Sequence, residues 1–402
     1  MKKIRTRIFQ NHGFNTFDGL IDLHNKKLHP FDTATRPQDP EFLPKNLPLG
    51  GLEHALYLFY ICLYMRGRIK SRQAFEEFNK LYTNYPEFFN PKEIQTDPIY
   101  YYNAILTQLS KGHLAFSVTD NARFWVENSK ELYHGGWHGD PRNLFRDLSE
   151  NNRNTPQAFK LVCSNIIRRK GKKRKIKFKT KNFHVLIEKR RIIYPGFYGF
   201  QEKMVSMLSY FYVDANIIPS FLFPSPIDFH VSRFLLMQGI IKITGIKNEI
   251  ATPYVLPAGR RITAKYSAER NVPAVQLADV LWLYSQLMCN LDPNRTRYKK
   301  GDQEGRKTLI SIAEKVKWTK NNIDNYHDSC GICRFNETCK GHVSEMPYYI
   351  SGTLKIINKD RPLQTNLFPF SPRKKQKNTK IKIITKKEIK KENHPSLFDE
   401  KK

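Results

Sequence analysis

The sequence predicts an all-α protein. Three stretches support this class, because apolar residues recur at helical spacing in residues 49–65, 71–82 and 97–131. Apolar residues make up 40% of the 402 positions, so the chain can bury a core in two domains or in one large one. We therefore expect helices to carry both the core and the functional site.

Outside these three stretches the sequence predicts an irregular arm, further helices and a linker. Residues 1–48 are rich in Pro, Asn and His and lack clear periodicity, so we interpret them as an irregular arm. Further helices are predicted at about 155–167, 274–290 and 306–317, and residues 240–272 are interpreted as a linker. These assignments predict an N-terminal arm and helical extension at 1–96, a main domain at 97–357 that ends with a cysteine loop at 330–339, and a basic flexible tail at 358–402.

The net charge of +31 points to a polyanionic partner. Lys and Arg number 68 against 37 Asp and Glu, an excess that would repel itself without such a partner. Nucleic acid is the favoured interpretation, and an anionic membrane surface is the alternative. The longest apolar run, residues 55–65, is too short to cross a bilayer, and no secretory signal follows Met1. We expect a cytoplasmic, nucleoid-associated monomer.

The densest basic run lies at residues 168–181, where ten of 14 positions are Lys or Arg. Such runs are often only solvated or disordered, but in a protein of this charge a loop that follows phosphates is favoured. Gln108, near the end of a predicted helix, could wedge into a base stack or be an ordinary helix-end amide. The candidate DNA contacts in these two places are Gln108, Arg168, Arg169, Lys172 and Lys173.

An amine and a carboxylate form the candidate catalytic pair. Gly199 precedes an apolar helical run with Lys203 on its first turn, and Asp228 lies in an apolar setting before another helix at about 229–236. Chemistry at a sugar carbon uses an amine that attacks and a carboxylate that stabilises positive charge. Alternatively, Lys203 is a solvated or DNA-contacting lysine and Asp228 is only a helix N-cap.

Three cysteines predict a metal centre. Cys330, Cys333 and Cys339 have C-x2-C-x5-C spacing, which suits metal binding in a reducing compartment. The fourth ligand is Cys289 or His342. Four thiolates suit a [4Fe–4S] cluster, whereas three thiolates and one imidazole suit zinc.

The C-terminal tail is predicted to be disordered. Residues 371–391 carry ten basic residues and one acidic residue. Two short apolar islands, at 364–368 and 396–398, resemble peptides that bind the bacterial replication sliding clamp. The clamp is therefore a candidate partner.

These motifs together resemble the helix-hairpin-helix (HhH-GPD) DNA glycosylases of the endonuclease III type. Gly199-Phe200-Gln201-Glu202-Lys203 matches the hairpin with Gln201 in place of its second glycine, and residues 227–233 match the aspartate motif. Cys330, Cys333 and Cys339 match the last three cluster ligands, and Cys289 is the best match to the first. The 25-position separation of Lys203 and Asp228 implies an insertion at about 213–225, and the 40 residues between Cys289 and Cys330 exceed the family's spacing.

The resemblance implies a fold and a reaction. Two helical subdomains would flank a DNA cleft, with the lysine hairpin on one lip. Asp228 would stabilise the transition state at the sugar of a flipped nucleotide, and Lys203 would form a Schiff base that permits strand cleavage. Gly199 and Gln201 would hold phosphates, while His230 and Arg233 would hold the aspartate motif in place and contact the DNA backbone. Together with the thiolate count, the resemblance favours a structural [4Fe–4S] cluster over zinc.

Two other functions remain open at this stage. The chain could be a non-catalytic double-stranded DNA-binding protein on the same scaffold. It could also be a glycosidase for free nucleosides or nucleotides, although small substrates need no long basic track. The extra N-terminal helices and the insertion suggest a bulky modified base, such as those of phage genomes, and hence a role in phage defence.

Overall fold

The computed structural model describes residues 4–28, 30–32, 35–65, 71–112, 117–168, 173–179, 185–191, 195–245, 252–288, 335, 348–350 and 356–358. For 173–179, 185–191, 348–350 and 356–358 the description covers the backbone alone. The tail beyond residue 358, with its two apolar islands, and the helix predicted at 306–317 lie outside the described residues.

Helices dominate this part of the chain, which confirms the mostly helical class. The α-helices are Gln10–Asn25 (α1), Leu52–Tyr64 (α2), Ser71–Asn84 (α3), Pro91–Thr96 (α4), Pro98–Lys111 (α5), Val118–His134 (α6), Pro156–Ile166 (α7), Glu202–Asp214 (α8), Phe229–Met237 (α9), Thr252–Arg270 (α10) and Ala274–Leu287 (α11). Short 3-10 helices lie at Pro40–Phe42, Pro86–Phe89 and Pro141–Phe145. None of the described helices has the length and apolarity needed to cross a bilayer.

The strands form three antiparallel pairs. They are Arg5–Ile8 (β1), Lys173–Lys179 (β2), Val185–Arg191 (β3), Ile241–Thr244 (β4), Tyr348–Ile350 (β5) and Ile356–Asn358 (β6). β1 pairs with β4, β2 with β3 and β5 with β6. The sheets are therefore small additions to a helical protein.

The N-terminal segment is ordered, and its interpretation as an irregular arm was wrong. It contains β1 and α1, whose buried side chains Phe14, Phe17, Leu20 and Leu23 recur at three-residue spacing. Interspersed His, Asn, Thr and Gly residues hide this stripe in the sequence. The stripe packs with buried residues between Ile227 and Met288, so tertiary contacts stabilise the helix.

The linker expected at 240–272 was also wrong, because it contains β4 and α10. Register pairs Ile8 with Ile241 and Arg5 with Thr244, so β4 exists only through contact with the N-terminus. α10 carries Gly259 against α9: a Cβ built there would lie 3.0 Å from the Leu235 side chain. Close helix packing therefore favours glycine at this position, since a larger residue would displace these side chains.

Two hydrophobic cores organise the described residues. The first core comprises buried residues between Leu43 and Phe223 together with Ala274 and Ala278. It crosses the boundary expected at residue 96, because Trp125 of α6 stacks on Tyr60 of α2 with ring centroids 4.7 Å apart. Helices on both sides of residue 96 thus share one core. The second core joins α1 to buried residues between Ile227 and Met288.

α11 lies between the two cores. Its Ala274 and Ala278 pack in the first core, whereas Leu277 and Leu281 pack in the second. The stretch 224–226, Pro-Ser-Pro, connects Phe223 of the first core to Ile227 of the second. Asp228 follows directly, so the candidate carboxylate lies where the two cores meet.

A polar network ties three segments together beside α11. The guanidinium of Arg36 pairs with Asp214 of α8 at 2.6 Å and with Asp39 at 2.7 Å, and it lies 3.6 Å from Asp279 of α11. Tyr210 of α8 donates to Asp279 at 2.9 Å. Burial raises the pKa of Asp279, and the Arg36 charge opposes that rise.

The described middle of the basic run, residues 173–179, is a strand and not a loop. β2 and β3 form a two-stranded antiparallel ribbon, and the ribbon lies within the connection between α7 and α8. Val185, the first residue of β3, pairs with Lys179 at the end of β2. Local charge does not reveal this pairing, because it depends on a second strand that begins six positions after the first one ends.

Candidate functional site

Lys203 lies on the first turn of α8. The turn before it needs glycine at position 199 but not at position 201. Gly199 has a φ of +80°, which favours glycine. Gln201, at the N-cap of α8, is extended with φ −128° and ψ 173°, so a side chain fits there without strain. The glutamine that departs from the family motif is therefore compatible with the same turn. Gln201 makes no side-chain cap, which leaves the first-turn amides of α8 available to an anion.

The Lys203 side chain is half-buried beside α2. Cys62 donates its thiol hydrogen to the carbonyl oxygen of Met204 at 3.4 Å, and the charge of Lys203 acts on that thiol. Burial raises the pKa of Cys62 well above its usual range, and Lys203 opposes the rise. Cys62 is thus a protonated core residue rather than a nucleophile. In the described part of the chain no carboxylate pairs with the ammonium group of Lys203.

Asp228 caps the N-terminus of α9. Its Oδ1 accepts from the backbone N–H of Val231 at 2.9 Å, and its side chain is half-buried after the fully buried Ile227. Among the described residues no donor is bound to Oδ2. Asp228 therefore fills the predicted capping role and still has one carboxylate oxygen available to a ligand.

α10 holds the starts of α8 and α9 together. Arg260 of α10 pairs with Glu202, the neighbour of Lys203, at 2.8 Å. A Cβ on the adjacent Gly259 would lie 3.2 Å from Ile227, the neighbour of Asp228. The residues that precede the amine and the carboxylate thus contact consecutive positions of one helix.

Sequence reasoning missed both partners in this link. In the hairpin motif Glu202 only separates Gln201 from Lys203, and Arg260 lies in the segment interpreted as a linker. The Cys163 thiol of α7 interacts electrostatically with both side chains: burial and Glu202 raise its pKa to about 12, and Arg260 opposes them. Three helices, α7, α8 and α10, therefore meet beside Lys203. The only signal in the sequence was an acidic residue directly before the motif lysine.

Arg233 is buried and is not a surface phosphate contact in this conformation. Its side chain is 1% exposed, and its guanidinium lies 5.2 Å from the Phe229 ring centroid. The His230 ring contacts the same ring edge-on at 5.1 Å. Of the two roles expected for this pair, supporting the aspartate motif fits the geometry, and direct contact of Arg233 with the DNA backbone does not.

The other predicted DNA contacts are spread over the molecule. The Arg168 guanidinium stacks 3.9 Å from the Tyr198 ring centroid beside the α8 turn. Lys173 begins β2, whereas Arg169 and Lys172 lie outside the described residues. Gln108 accepts from Lys111 at 3.2 Å and lines a groove between α3 and α5 that includes neither Lys203 nor Asp228.

The predicted metal ligands Cys289, Cys330, Cys333 and Cys339, and the alternative His342, lie outside the described residues. One residue of their loop is described. Phe335 contacts Tyr284 of α11 with ring centroids 5.5 Å apart, and a Cβ on Gly19 of α1 would lie 3.1 Å from it. Phe335 follows Cys333 by two positions, and Tyr284 precedes Cys289 by five. Phe335 itself therefore lies between α11 and α1.

His54 is buried near the start of α2 and serves the fold. Its Nδ1 accepts from the backbone N–H of Gly50 at 3.1 Å, and burial lowers its pKa from 6.5 to about 4. Between these values the unfolded chain binds a proton that the folded chain does not. Stability should therefore fall as pH falls from about 6.5 towards 4, with one proton contributing up to about 1.4 kcal/mol per pH unit.

Replacing His54 with asparagine should remove this contribution. Asparagine can accept the Gly50 N–H bond but does not titrate, so the free energy of unfolding should depend less steeply on pH in His54→Asn than in the unsubstituted protein. Urea denaturation at several pH values between about 7 and 4.5 measures the difference. His134→Asn, at an exposed position at the end of α6, is the matched control. Equal pH slopes in all three proteins would contradict the assignment.

Comparison with known proteins leaves the function to be argued from these residues. Neither the known protein families nor the curated proteins contain a match to this sequence. The roles of Lys203 and Asp228 therefore depend on their placement and on the motifs around them.

Proposed function

We propose that this protein is a DNA glycosylase that removes a modified or damaged base. The observation that carries the proposal is the link through α10. Glu202 and Ile227, the residues before Lys203 and Asp228, contact the consecutive residues Arg260 and Gly259. A half-buried amine and a half-buried carboxylate at the starts of two linked helices suit chemistry at one sugar carbon.

The carboxylate would act first. Base removal breaks the C1′–N bond, leaves positive charge on the sugar and requires the nucleotide to be turned out of the stack. Asp228 is held by its Oδ1 bond to Val231, so Oδ2 can stabilise that charge without reorganising. The first-turn amides of α8, which Gln201 does not cap, would hold a phosphate of the same strand.

The amine would extend the reaction to strand cleavage. Once its ammonium group has given a proton to Asp228 or to water, the Lys203 nitrogen would form a bond to C1′ as the C1′–N bond breaks, and the departing base would take up a proton. The C1′–O4′ bond would then break, with a proton taken up by O4′, to give the protonated Schiff base. Base removal by water needs only Asp228, so the lyase step is a separate claim with a separate test.

Trapping tests the role of Lys203. Borohydride reduces a Schiff base, so the unsubstituted protein should give a covalent protein–DNA adduct that Lys203→Gln does not give. Lys80→Gln, at an exposed position of α3, is the control and should trap normally. An adduct that persists in Lys203→Gln would exclude Lys203 as the nucleophile. Base release without any adduct would leave a glycosylase that only hydrolyses.

The cysteine loop would support the DNA-binding surface. The resemblance and the thiolate count favour Cys289 as the ligand that completes a set with Cys330, Cys333 and Cys339. Four thiolates suit a [4Fe–4S] cluster, and His342 in place of Cys289 would suit zinc. When bound, the group would hold the loop in shape and take no part in the chemistry.

Base release is the direct test of the proposal. The full-length protein would be incubated with genomic DNAs that carry different base modifications, and free bases would be identified by mass spectrometry. Release of one modified base from one DNA would support the proposal and name the substrate. A bulky base is expected, as in the genomes of phages. Release of nothing from any DNA would contradict it.

A non-catalytic DNA-binding protein is the second candidate. The cap from Asp228 to Val231 favours it, because that bond gives the aspartate a structural role without any reaction. The net charge of +31 agrees with both candidates and disfavours a nucleoside glycosidase. Binding of the sliding clamp by residues 364–368 or 396–398 remains a separate prediction.

A further inference from the structure

We propose that the β2–β3 ribbon is a DNA-gripping arm mounted on the turn between α7 and α8, and that one face of it holds phosphates of the duplex. This inference rests on the proposed function only in taking double-stranded DNA as the ligand. It adds a second contact region, separate from Lys203 and Asp228, whose contribution can be measured without any base release.

The mount of the arm is a closed turn. The backbone N–H of Phe197 donates to the carbonyl oxygen of Ile166 at 2.9 Å, and Ile167 forms a parallel bridge with Phe197. A Cβ on Gly196 would lie 2.7 Å from the Cα of Arg168. The Cα atoms of Gly196 and Arg168 are therefore nearly as close as those of consecutive residues, which lie ~3.8 Å apart. The chain therefore leaves and re-enters the fold at one point.

Glycine is required at this point for two reasons. Gly196 has a φ of +128°, and any side chain there would strike the backbone of Arg168. The Arg168 guanidinium covers the Tyr198 ring on the returning segment. α7, the closed turn and α8 thus form a continuous unit, and residues 169–195 are an insertion at its tip.

The insertion concentrates the positive charge of the protein. Residues 169–195 contain twelve Lys or Arg and one acidic residue, Glu188, for a net charge of +11 out of the total of +31. Charge of this density in 27 residues repels itself strongly, and a row of phosphates would offset that repulsion. The two strands of the ribbon carry eight of these twelve basic residues, so the ribbon offers a polyanion a concentrated positive charge.

The strand register divides the charge unequally between the two faces of the ribbon. Residues directly opposite each other in an antiparallel pair share a face, and successive pairs alternate. One face, here called the basic face, carries six basic residues in eight positions: Lys173, Lys175, Lys177, Lys179, Val185, Ile187, Lys189 and Arg191. The opposite face carries two basic residues in six positions: Arg174, Ile176, Phe178, Leu186, Glu188 and Arg190.

The dimensions of the ribbon match a duplex. Seven residues at about 3.4 Å each make strands about 20 Å long, and phosphates recur about every 3.4 Å along each DNA strand. A two-stranded ribbon fits the major groove, which is about 12 Å wide. The mount ends five positions before Lys203, so the ribbon and the proposed reaction centre would contact the same DNA. This shared position favours DNA over a membrane surface.

The salt dependence of binding tests the arm. In a splice variant, residues 169–195 would be deleted and Arg168 joined directly to Gly196, and binding to an unmodified duplex would be measured over a range of KCl concentrations. Each phosphate neutralised contributes about 0.9 to the slope of log K against log salt. Loss of the six basic-face residues should therefore reduce the slope by up to about five. Circular dichroism and thermal unfolding would show that the spliced chain folds.

Two double substitutions test the face itself and do not depend on the splice. Lys175→Gln with Lys189→Gln removes an opposed pair from the basic face, and Arg174→Gln with Arg190→Gln removes an opposed pair from the other face. Both remove two positive charges. The first should reduce the salt slope by about two, and the second should change it much less.

The outcomes separate this inference from the glycosylase proposal. If the variants show reduced salt slopes and the unsubstituted protein releases no base, the DNA-gripping arm is supported and the glycosylase proposal is not. Any of three results would overturn the proposed DNA-gripping arm. The splice variant could show an unchanged salt slope, or the two double substitutions could have equal effects. The splice could also weaken binding to phosphatidylserine vesicles while binding to duplex DNA stays unchanged. None of these results depends on Lys203 or Asp228.

Discussion

Replacing Asp228 with asparagine should reduce base release by about 10³-fold or more while DNA binding and folding persist. Asparagine is as good an N-cap as aspartate, so its Oδ1 can keep the bond from Val231 and the start of α9 should be preserved. The variant loses only the negative charge, which is the property that would stabilise the cationic sugar. Single-turnover release of the target base measures the effect.

A second capping aspartate supplies the matched control. Asp97 caps α5 through an Oδ1 bond from the backbone N–H of Tyr100 at 3.0 Å. Asp97→Asn makes the same chemical change at a helix start away from α8 and α9, and it should leave base release unchanged. If Asp228→Asn retained full activity, Asp228 would be a cap alone, and the non-catalytic candidate or another carboxylate would have to be considered.

Replacing Arg36 with methionine should lower the free energy of unfolding by about 3–5 kcal/mol. Methionine keeps the aliphatic part of the side chain but removes the charge that Asp39, Asp214 and Asp279 share. These carboxylates are at most 19% exposed, so each would be left in a poorly solvated place without its partner. Urea denaturation at neutral pH measures the loss.

An exposed ion pair provides the control for Arg36. Arg123 pairs with Asp120 at 2.9 Å, and their side chains are 58% and 47% exposed. Arg123→Met should cost less than about 1 kcal/mol, because water already screens that pair. Adding Asp279→Asn to Arg36→Met should recover part of the loss, since it removes one unpaired charge and keeps an acceptor for Tyr210. Equal costs at the two arginines would show that the network is not a stabilising link.

Local sequence patterns predicted the central helices well. The apolar spacing in 49–65 and 71–82 corresponds to α2 and α3, and the prediction at 155–167 corresponds to α7. These helices bury a continuous stripe or are apolar on most sides, so the pattern is visible in the sequence alone. The motifs around Lys203 and Asp228 were also visible, because each lies within a few consecutive residues.

The same approach failed where an element depends on distant partners. α1 has a weak local pattern and is fixed by the second core, and β1 pairs with β4 more than 230 positions later. α10 contains Pro257, which argues against a helix in any local analysis. Its Gly259 and Arg260 nevertheless contact the two segments that carry the candidate site. No spacing rule in the sequence connects them.

The helical class, the excess positive charge and the residue types at the two helix starts follow from composition and short-range spacing, which are local properties. Three other features depend on the folded chain: the extended backbone of Gln201, the burial of Arg233, and the pairing of residues 173–179 with residues 185–191. Backbone angles, burial and strand pairing are set by what distant segments place beside a residue, so no local pattern predicts them.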